Sequence, residues 1–70
     1  MIRLNGIEYE HRPGLTLCEL ADRYSAEYRK LCFDGFVVIV DGQALTTDQA
    51  QAKILDGNED IFIVPVLDGG

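Results

Sequence analysis

The sequence predicts a small α+β domain in which one helix packs on one face of a mixed, four- to five-stranded sheet. Three observations support this fold: a hairpin pattern around Asn5-Gly6, an amphipathic helical stripe after it, and continuous apolar runs at 36–40 and 61–64. The chain has 70 residues, 47% of them hydrophobic, which is enough for one core. We therefore expect a single domain over residues 1–70.

The first element is a β-hairpin. Ile2 and Leu4 alternate with polar neighbours, as in a strand with one buried face. Asn5-Gly6 tolerates the two positive φ angles of a type I′ turn, so residues 7–11 should return antiparallel to the first strand.

One helix is predicted next, starting after Thr16 and closed by Asp34-Gly35. Thr16 and Glu19 have the spacing of a capping box. The apolar stripe of this helix comprises Leu17, Leu20, Ala21, Tyr24, Tyr28 and Leu31. We interpret its two tyrosines as core residues and not as the lining of a cofactor pocket. A right-handed crossover would make the strand at 36–40 parallel to the first strand.

The central strand at 36–40 has no polar alternation. Such a run suits a strand buried on both faces, or one whose outer face is covered by a partner. Asp41-Gly42 then predicts a second tight turn leading to a short strand at 43–45.

The segment 46–53 has helix-starting residues but few apolar ones, so we expect one irregular or 3₁₀ turn there. An extended Ile54-Leu55 should follow and anchor in the core.

The last strand alternates within an entirely apolar run. Ile61 and Ile63 should face the core, and Phe62 and Val64 should face outward, where a partner would cover them. Pro65 cannot donate to a ladder, so the chain should either leave the sheet there or lie with the proline nitrogen unpaired, and a flexible tail is expected from about this residue.

Charge and cysteines limit the function classes. The net charge is −6, from 12 acidic and 6 basic residues, which argues against nucleic-acid binding. Cys18 and Cys32 would lie roughly 20 Å apart at the two ends of the predicted helix, too far for a disulfide. The sequence has no signal-peptide pattern and no long apolar span, so we expect a cytoplasmic protein with no membrane role.

The residues offer no catalytic apparatus. There is no phosphate-binding Gly-x-x-x-x-Gly-Lys loop and no spacing typical of metal ligands, and the single histidine, His11, should be exposed at a strand end. We therefore expect a carrier or binding module that binds no metal or cofactor itself.

The C-terminal residues suggest a chemistry. Gly69 and Gly70 have no side chains, so their backbone could thread a narrow channel, and five residues beyond Pro65 could reach roughly 16 Å. The whole chain resembles a β-grasp, ubiquitin-like sulfur carrier of the ThiS and MoaD family, closer to ThiS. The residues that carry this resemblance are Asn5-Gly6, the helix start at 15–20, Asp56-Gly57 and Gly69-Gly70.

The resemblance implies a role as co-substrate, not as an enzyme. An adenylyltransferase of the ThiF and MoeB type, which would hold the ATP and any metal, joins the carboxylate of Gly70 to AMP. A sulfurtransferase or cysteine desulfurase then supplies sulfur to form a thiocarboxylate. The acceptor would be thiazole synthase, for the thiazole of thiamin. Phe62 and Val64 would lie on the docking surface, and the partner channel would hold Val66, Leu67, Asp68 and Gly69.

Two alternatives stay open. Pro65 also fits a MoaD-like small subunit, whose acceptor would be the large subunit of molybdopterin synthase, and Asp68 departs from the small residue usual before Gly-Gly, which leaves room for another sulfur-transfer pathway. An alternative of another class is a β-grasp module that binds partners without covalent chemistry.

Overall fold

A computed structural model describes residues 1–30 and 33–66. Five strands and three helices form in these residues. Their bounds are β1 Ile2–Leu4, β2 Ile7–Tyr9, α1 Leu17–Tyr24, α2 Ala26–Lys30, β3 Phe36–Val40, β4 Gln43–Leu45, α3 Thr47–Ala52 and β5 Asp60–Pro65. The predicted α+β class and the mixed sheet of five strands are confirmed.

The sheet has the strand order β2-β1-β5-β3-β4, so the last strand lies at its centre. β5 pairs parallel with β1 and antiparallel with β3, and the two outer pairs are antiparallel hairpins. β3 therefore runs opposite to β1, and the predicted parallel orientation is wrong. The crossover rule applies to the strand that leads into the helix, which is β2, and β3 is indeed parallel to β2.

The core lies between one face of the sheet and the helices. Alternate residues of β1, β3 and β5 point into it, as the period of two along a strand requires. Its buried members are Ile2, Leu4, Val38, Val40, Ile61 and Ile63 from the sheet, with Leu15, Leu17, Leu20, Ala21, Tyr28, Phe33, Ala50 and Leu55 from the layer above. Ile61 and Ile63 thus face the core, as predicted.

Both predicted tight turns are confirmed. Asn5 and Gly6 have φ angles of 50° and 83°, and Asp41 and Gly42 have φ angles of 51° and 81°. These are the paired positive angles of a type I′ turn, which matches the twist of the flanking strands. The first residue of each turn is Asn or Asp, which tolerates the left-handed region better than other non-glycine residues.

The predicted single helix is wrong, because Ser25 divides it. Ser25 is extended, with φ −160° and ψ 125°, and its N–H closes α1 by donating to the carbonyl of Ala21 at 2.8 Å. Its Oγ accepts from the N–H of Glu27 at 3.4 Å and so begins α2. Serine side chains compete with the helix for backbone hydrogen bonds, which explains a break that the apolar spacing did not reveal.

The irregular turn expected at 46–53 is instead the helix α3. Thr46 and Gln49 form a reciprocal capping box, which satisfies amide groups at the helix start, and the buried Ala50 attaches the helix to the core. Leu55 is anchored in the core as predicted, but Ile54 is 60% exposed, so that half of the prediction is wrong.

In residues 1–30 and 33–66, no helix has both the length and the apolar character needed to cross a membrane.

Candidate functional site

The outer face of the sheet carries a contiguous apolar surface along β3 and β5. We call it the outer patch and define it as Val37, Ile39, Phe62 and Val64. The register pairs Val37 with Val64 and Ile39 with Phe62, so the four side chains lie together on the face opposite the core. Phe62 is 44% exposed and Val64 42% exposed, while their β3 neighbours are half-buried. An apolar surface of this kind marks an interaction site on a small domain.

β5 ends at Pro65, where the chain was predicted either to leave the sheet or to lie with the proline nitrogen unpaired. Pro65 is still paired with Phe36, and the N–H of Val66 donates to the carbonyl of Gly35 at 2.9 Å. Because successive backbone N positions point to opposite sides of a strand, the nitrogen of Pro65 points away from β3. No donor is needed there, since β1 has already ended, and this explains how a central strand accepts a proline. The structure therefore shows the second of the two predicted alternatives, an unpaired proline nitrogen.

On that other side, the side chain of Asn5 takes the place of a strand. β1 ends at Leu4, and the N–H of Asn5 donates to the carbonyl of Ile61 at 2.8 Å. Its Oδ1 accepts from the N–H of Ile63 at 2.9 Å, and its Nδ2 donates to the carbonyl of Ile63 at 3.2 Å. The carboxamide thus continues the β1–β5 ladder by one pair of hydrogen bonds.

The buried Tyr28 belongs to an aromatic cluster beside the end of β5. Burial and the neighbouring Tyr24 raise the pKa of the Tyr28 phenol, and the polar side chain of Asn5 opposes that rise. The ring of Tyr28 stacks on Tyr24, with centroids 5.7 Å apart, and meets Phe36 edge-on at 4.8 Å. The core role predicted for Tyr28 is confirmed, whereas Tyr24 is exposed and the prediction for it is wrong.

The start of β5 is held by a buried carboxylate. Glu59 is 4% exposed and accepts from the N–H groups of Asp56 at 2.6 Å and Gly57 at 2.9 Å. Burial alone raises the pKa of this carboxyl, but the backbone donors, with Lys53 nearby, outweigh it and hold the pKa below its ordinary value. Asp41 adds a further contact, because its Oδ1 accepts from the N–H of Asp60 at 2.9 Å.

A shallow polar groove of about 260 Å³ lies at this start of β5. The groove is lined by Met1, Arg3, Glu8, Asn58, Glu59 and Asp60. Arg3 pairs with both Glu8 and Asp60 in the sheet register, so the charged residues border the same outer face as the patch. Within the described part of the chain, no three His, Cys, Asp or Glu side chains gather as metal ligands. The groove gives the outer face a partly acidic edge.

Two further residues with reactive side chains, Cys18 and His11, form hydrogen bonds within the fold. The thiol of Cys18 donates to the carbonyl of Gln51 at 3.6 Å. His11 is exposed, as predicted, and its Nε2 donates to the carbonyl of Leu55 at 3.0 Å while its ring lies against Gly57. His11 therefore fastens the end of the hairpin to the loop before β5.

The remaining predicted site residues are only partly described. Phe62 and Val64 lie on the outer face as expected, and Val66 is exposed at the end of the described chain. Leu67, Asp68, Gly69 and Gly70 lie outside the described residues, as do Leu31 and Cys32.

Sequence reasoning missed four contributing residues near β5. The all-apolar pattern at 36–40 had indicated a face for a partner, but it did not single out Val37 and Ile39. Asn5 was recognised only as a turn residue, and Glu59 had no signal, because an exposed glutamate gives the same sequence pattern.

A comparison of the chain with protein-family models, curated proteins and solved structures found no match. No family assignment follows from the comparisons.

Proposed function

We propose that this chain is a ubiquitin-like sulfur carrier whose Gly70 carboxylate is adenylated by a partner and converted to a thiocarboxylate. The sulfur would go to the thiazole of thiamin, with thiazole synthase as acceptor. The observation that carries the proposal is the position of β5, a central strand that borders an exposed apolar surface and is the last element before Gly69-Gly70 in the sequence.

The fold supports this proposal. A mixed sheet of five strands with its helices over one face is compatible with a β-grasp domain. In such an arrangement the C-terminal residues follow the central strand of the sheet. A partner that binds the domain therefore also fixes the position at which those residues begin.

The outer patch would provide the docking surface for the adenylyltransferase. Phe62 and Val64 supply exposed apolar area, and the edge near Glu8 and Asp60 carries negative charge. A complementary partner would present an apolar surface bordered by Lys or Arg, which gains affinity from the apolar contact and orientation from the charges.

The chemistry assigned to Gly70 needs a leaving group, because a free carboxylate is a poor acyl donor. A carboxylate oxygen attacks the α-phosphorus of ATP and releases pyrophosphate, leaving an acyl adenylate. A persulfide sulfur then attacks the acyl carbon and AMP departs. A reducing thiol cleaves the resulting sulfur–sulfur bond and leaves the thiocarboxylate. The partners supply every catalytic group, and this chain supplies the acyl group and the docking surface.

The first test is adenylation. The chain is incubated with a ThiF-type adenylyltransferase and ATP, and pyrophosphate release is measured, with a chain lacking Gly70 as the matched control. Release that requires Gly70 supports the proposal. No release from the full chain, with an adenylyltransferase shown to be active on its own carrier, contradicts it.

A second test separates the two pathways. Transfer of sulfur from the loaded chain to thiazole synthase, and not to the large subunit of molybdopterin synthase, tests the thiamin assignment against the MoaD-like one favoured by Pro65.

A non-covalent interaction module is the second candidate, and the outer patch favours it, since apolar docking needs no reactive terminus. The two candidates differ in their dependence on Gly70. A non-covalent module would bind its partner equally well without Gly69 and Gly70. Its mass would not change after incubation with the adenylyltransferase and ATP.

A further inference from the structure

β5 has a strand on both sides only at its start. Asp60 and Ile61 pair with β1, and from Ile61 to Pro65 the strand pairs with β3 on its other side. Beyond Ile61 the β1 side would be open, because β1 turns back at Asn5-Gly6. The carboxamide of Asn5 is the group that occupies this open side.

We propose that Asn5 is a positioning residue for adenylation, which fixes the direction in which the chain leaves the sheet toward Gly70. The inference rests on the proposed function. Hydrogen bonds on opposite sides of β5 precede and follow Pro65. The Asn5 carboxamide binds the backbone of Ile63, and the carbonyl of Gly35 accepts from the N–H of Val66. Together they fix the orientation of the last strand residues before Leu67.

The chemistry of the position selects asparagine. The backbone φ of 50° favours Asn, Asp or Gly. The two hydrogen bonds to Ile63 need one acceptor for its N–H and one donor for its carbonyl, and among these three residues only asparagine carries both. An aspartate would keep the turn but place a negative charge against the carbonyl of Ile63.

The β3 side of the strand end is packed against aromatic side chains. Tyr28 is buried, stacks on Tyr24 and meets Phe36 edge-on. Phe36 is also the strand partner of Pro65. The strand end after Ile63 thus has a packed aromatic cluster on its β3 side and the Asn5 carboxamide on its β1 side, and support from two sides is how rigid positioning is built.

The other type I′ turn provides a matched control. Asp41 has the same left-handed backbone, with φ 51°, and its side chain also accepts from a β5 amide, that of Asp60. It acts at the start of the strand, far in sequence from Gly70. Asp41→Gly therefore removes an equivalent turn side chain and hydrogen bond without touching the end of β5.

The experiment compares Asn5→Gly, Asn5→Asp and Asp41→Gly with the wild type. Amide hydrogen exchange by NMR reports the protection of Ile63 and Asp60. Steady-state adenylation by a ThiF-type adenylyltransferase with ATP reports kcat and KM for the carrier, at a temperature where all four proteins are folded. We expect faster exchange at Ile63 in both Asn5 variants and at Asp60 in the Asp41 variant. The Asn5 variants should lose about tenfold in kcat with KM changed by less than about twofold, because docking is intact and only the reacting terminus is misplaced.

Each outcome decides the matter. A loss of kcat confined to the Asn5 variants supports positioning. Equal kcat values for Asn5→Gly and Asp41→Gly, or full wild-type kcat in Asn5→Gly despite lost protection at Ile63, overturn it. If one Asn5 variant does not fold, the other decides. Absence of adenylation in the wild type overturns the proposed function, and the positioning role with it. Normal adenylation of the wild type with an unchanged kcat in Asn5→Gly overturns the positioning role alone, so the two failures are distinguishable.

Discussion

The two ends of β5 are built differently. At its start, Ile61 lies fully buried between β1 and β3, Glu59 receives two backbone N–H groups, and Asp41 binds the N–H of Asp60. At its end, one neighbouring strand remains, the other side is held by one carboxamide, and Val64 is exposed. Both halves of the strand keep a buried face, through Ile61 and Ile63, and the difference lies in the backbone support. The start is hydrogen-bonded on both sides by neighbouring strands, whereas the end depends on β3 and one side chain.

This difference follows a general division of labour. A small domain has few kcal/mol of stability to spare, so buried contacts cannot be given up over the whole of its central strand. The core-facing Ile61 and Ile63 keep these contacts, which allows the outward-facing Phe62 and Val64 to be apolar and exposed without loss of the fold. Stability and binding should therefore respond to substitutions on opposite faces of the same strand.

The largest expected effect is at the buried start of the strand. Ile61→Ala removes fully buried methyl groups and should lower the free energy of unfolding by about 2–4 kcal/mol. Val64→Ala, the matched change on the exposed face, should cost less than about 1 kcal/mol. Urea denaturation measures both. Similar losses of stability in the two variants would contradict the assignment of Ile61 to the core face and Val64 to the outer face of β5.

Glu59 should come next in size. Glu59→Gln places an amide NH₂ where the carboxylate now accepts two backbone N–H groups, so it should cost about 1–3 kcal/mol. Glu8→Gln, an exposed change at the edge of the same groove, is the control and should be nearly neutral. A Glu59→Gln variant as stable as Glu8→Gln would show that the buried carboxylate does not hold the start of β5.

The pH dependence gives an independent check on Glu59. Its pKa is lower in the folded protein than in the unfolded chain, so its contribution is fully present above the unfolded value of about 4.3. That contribution is lost as the pH falls through the lower, folded pKa. The stability gap between the wild type and Glu59→Gln should therefore narrow as the pH drops below about 4. A gap that stays constant in urea denaturation down to acidic pH would contradict the lowered pKa.

The smallest effect on stability is expected on the exposed outer face of β5, where the effect on partner binding should be largest. Phe62→Ser should change the free energy of unfolding by no more than about 1 kcal/mol, because the side chain is 44% exposed. Affinity for the adenylyltransferase, measured by calorimetry, should fall by about tenfold or more, as for an aromatic residue at an interface.

The control for Phe62→Ser is Ile54→Ser, which removes an exposed apolar side chain outside the outer patch. It should leave affinity unchanged. Unchanged affinity in Phe62→Ser together with a collapse of stability would assign Phe62 to the core and contradict the face assignment.

Much of this architecture could be predicted from local patterns. The Asn5-Gly6 and Asp41-Gly42 turns have a specific backbone requirement, and the alternation in β5 separates its two faces by a period of two. Patterns of this kind depend on near neighbours in the sequence, so they can be interpreted without the fold.

Other features were missed for different reasons. Asn5 binds a residue 58 positions away, which nothing in its own surroundings indicates. The break at Ser25 is local, but it depends on a serine side chain competing with a helix whose apolar spacing continues through it. The orientation of β3 could have been predicted, because the predicted hairpin makes β2 the strand that leads into the helix, and the crossover rule had been applied to β1.

The most direct test of the central claim is intact-mass spectrometry of the full chain after incubation with the adenylyltransferase, ATP and a sulfurtransferase with its sulfur source. The account predicts the exchange of one oxygen for sulfur, located at Gly70 by fragmentation and absent from a chain that lacks Gly70. An unchanged mass, with the same enzymes active on their own carrier, would contradict it.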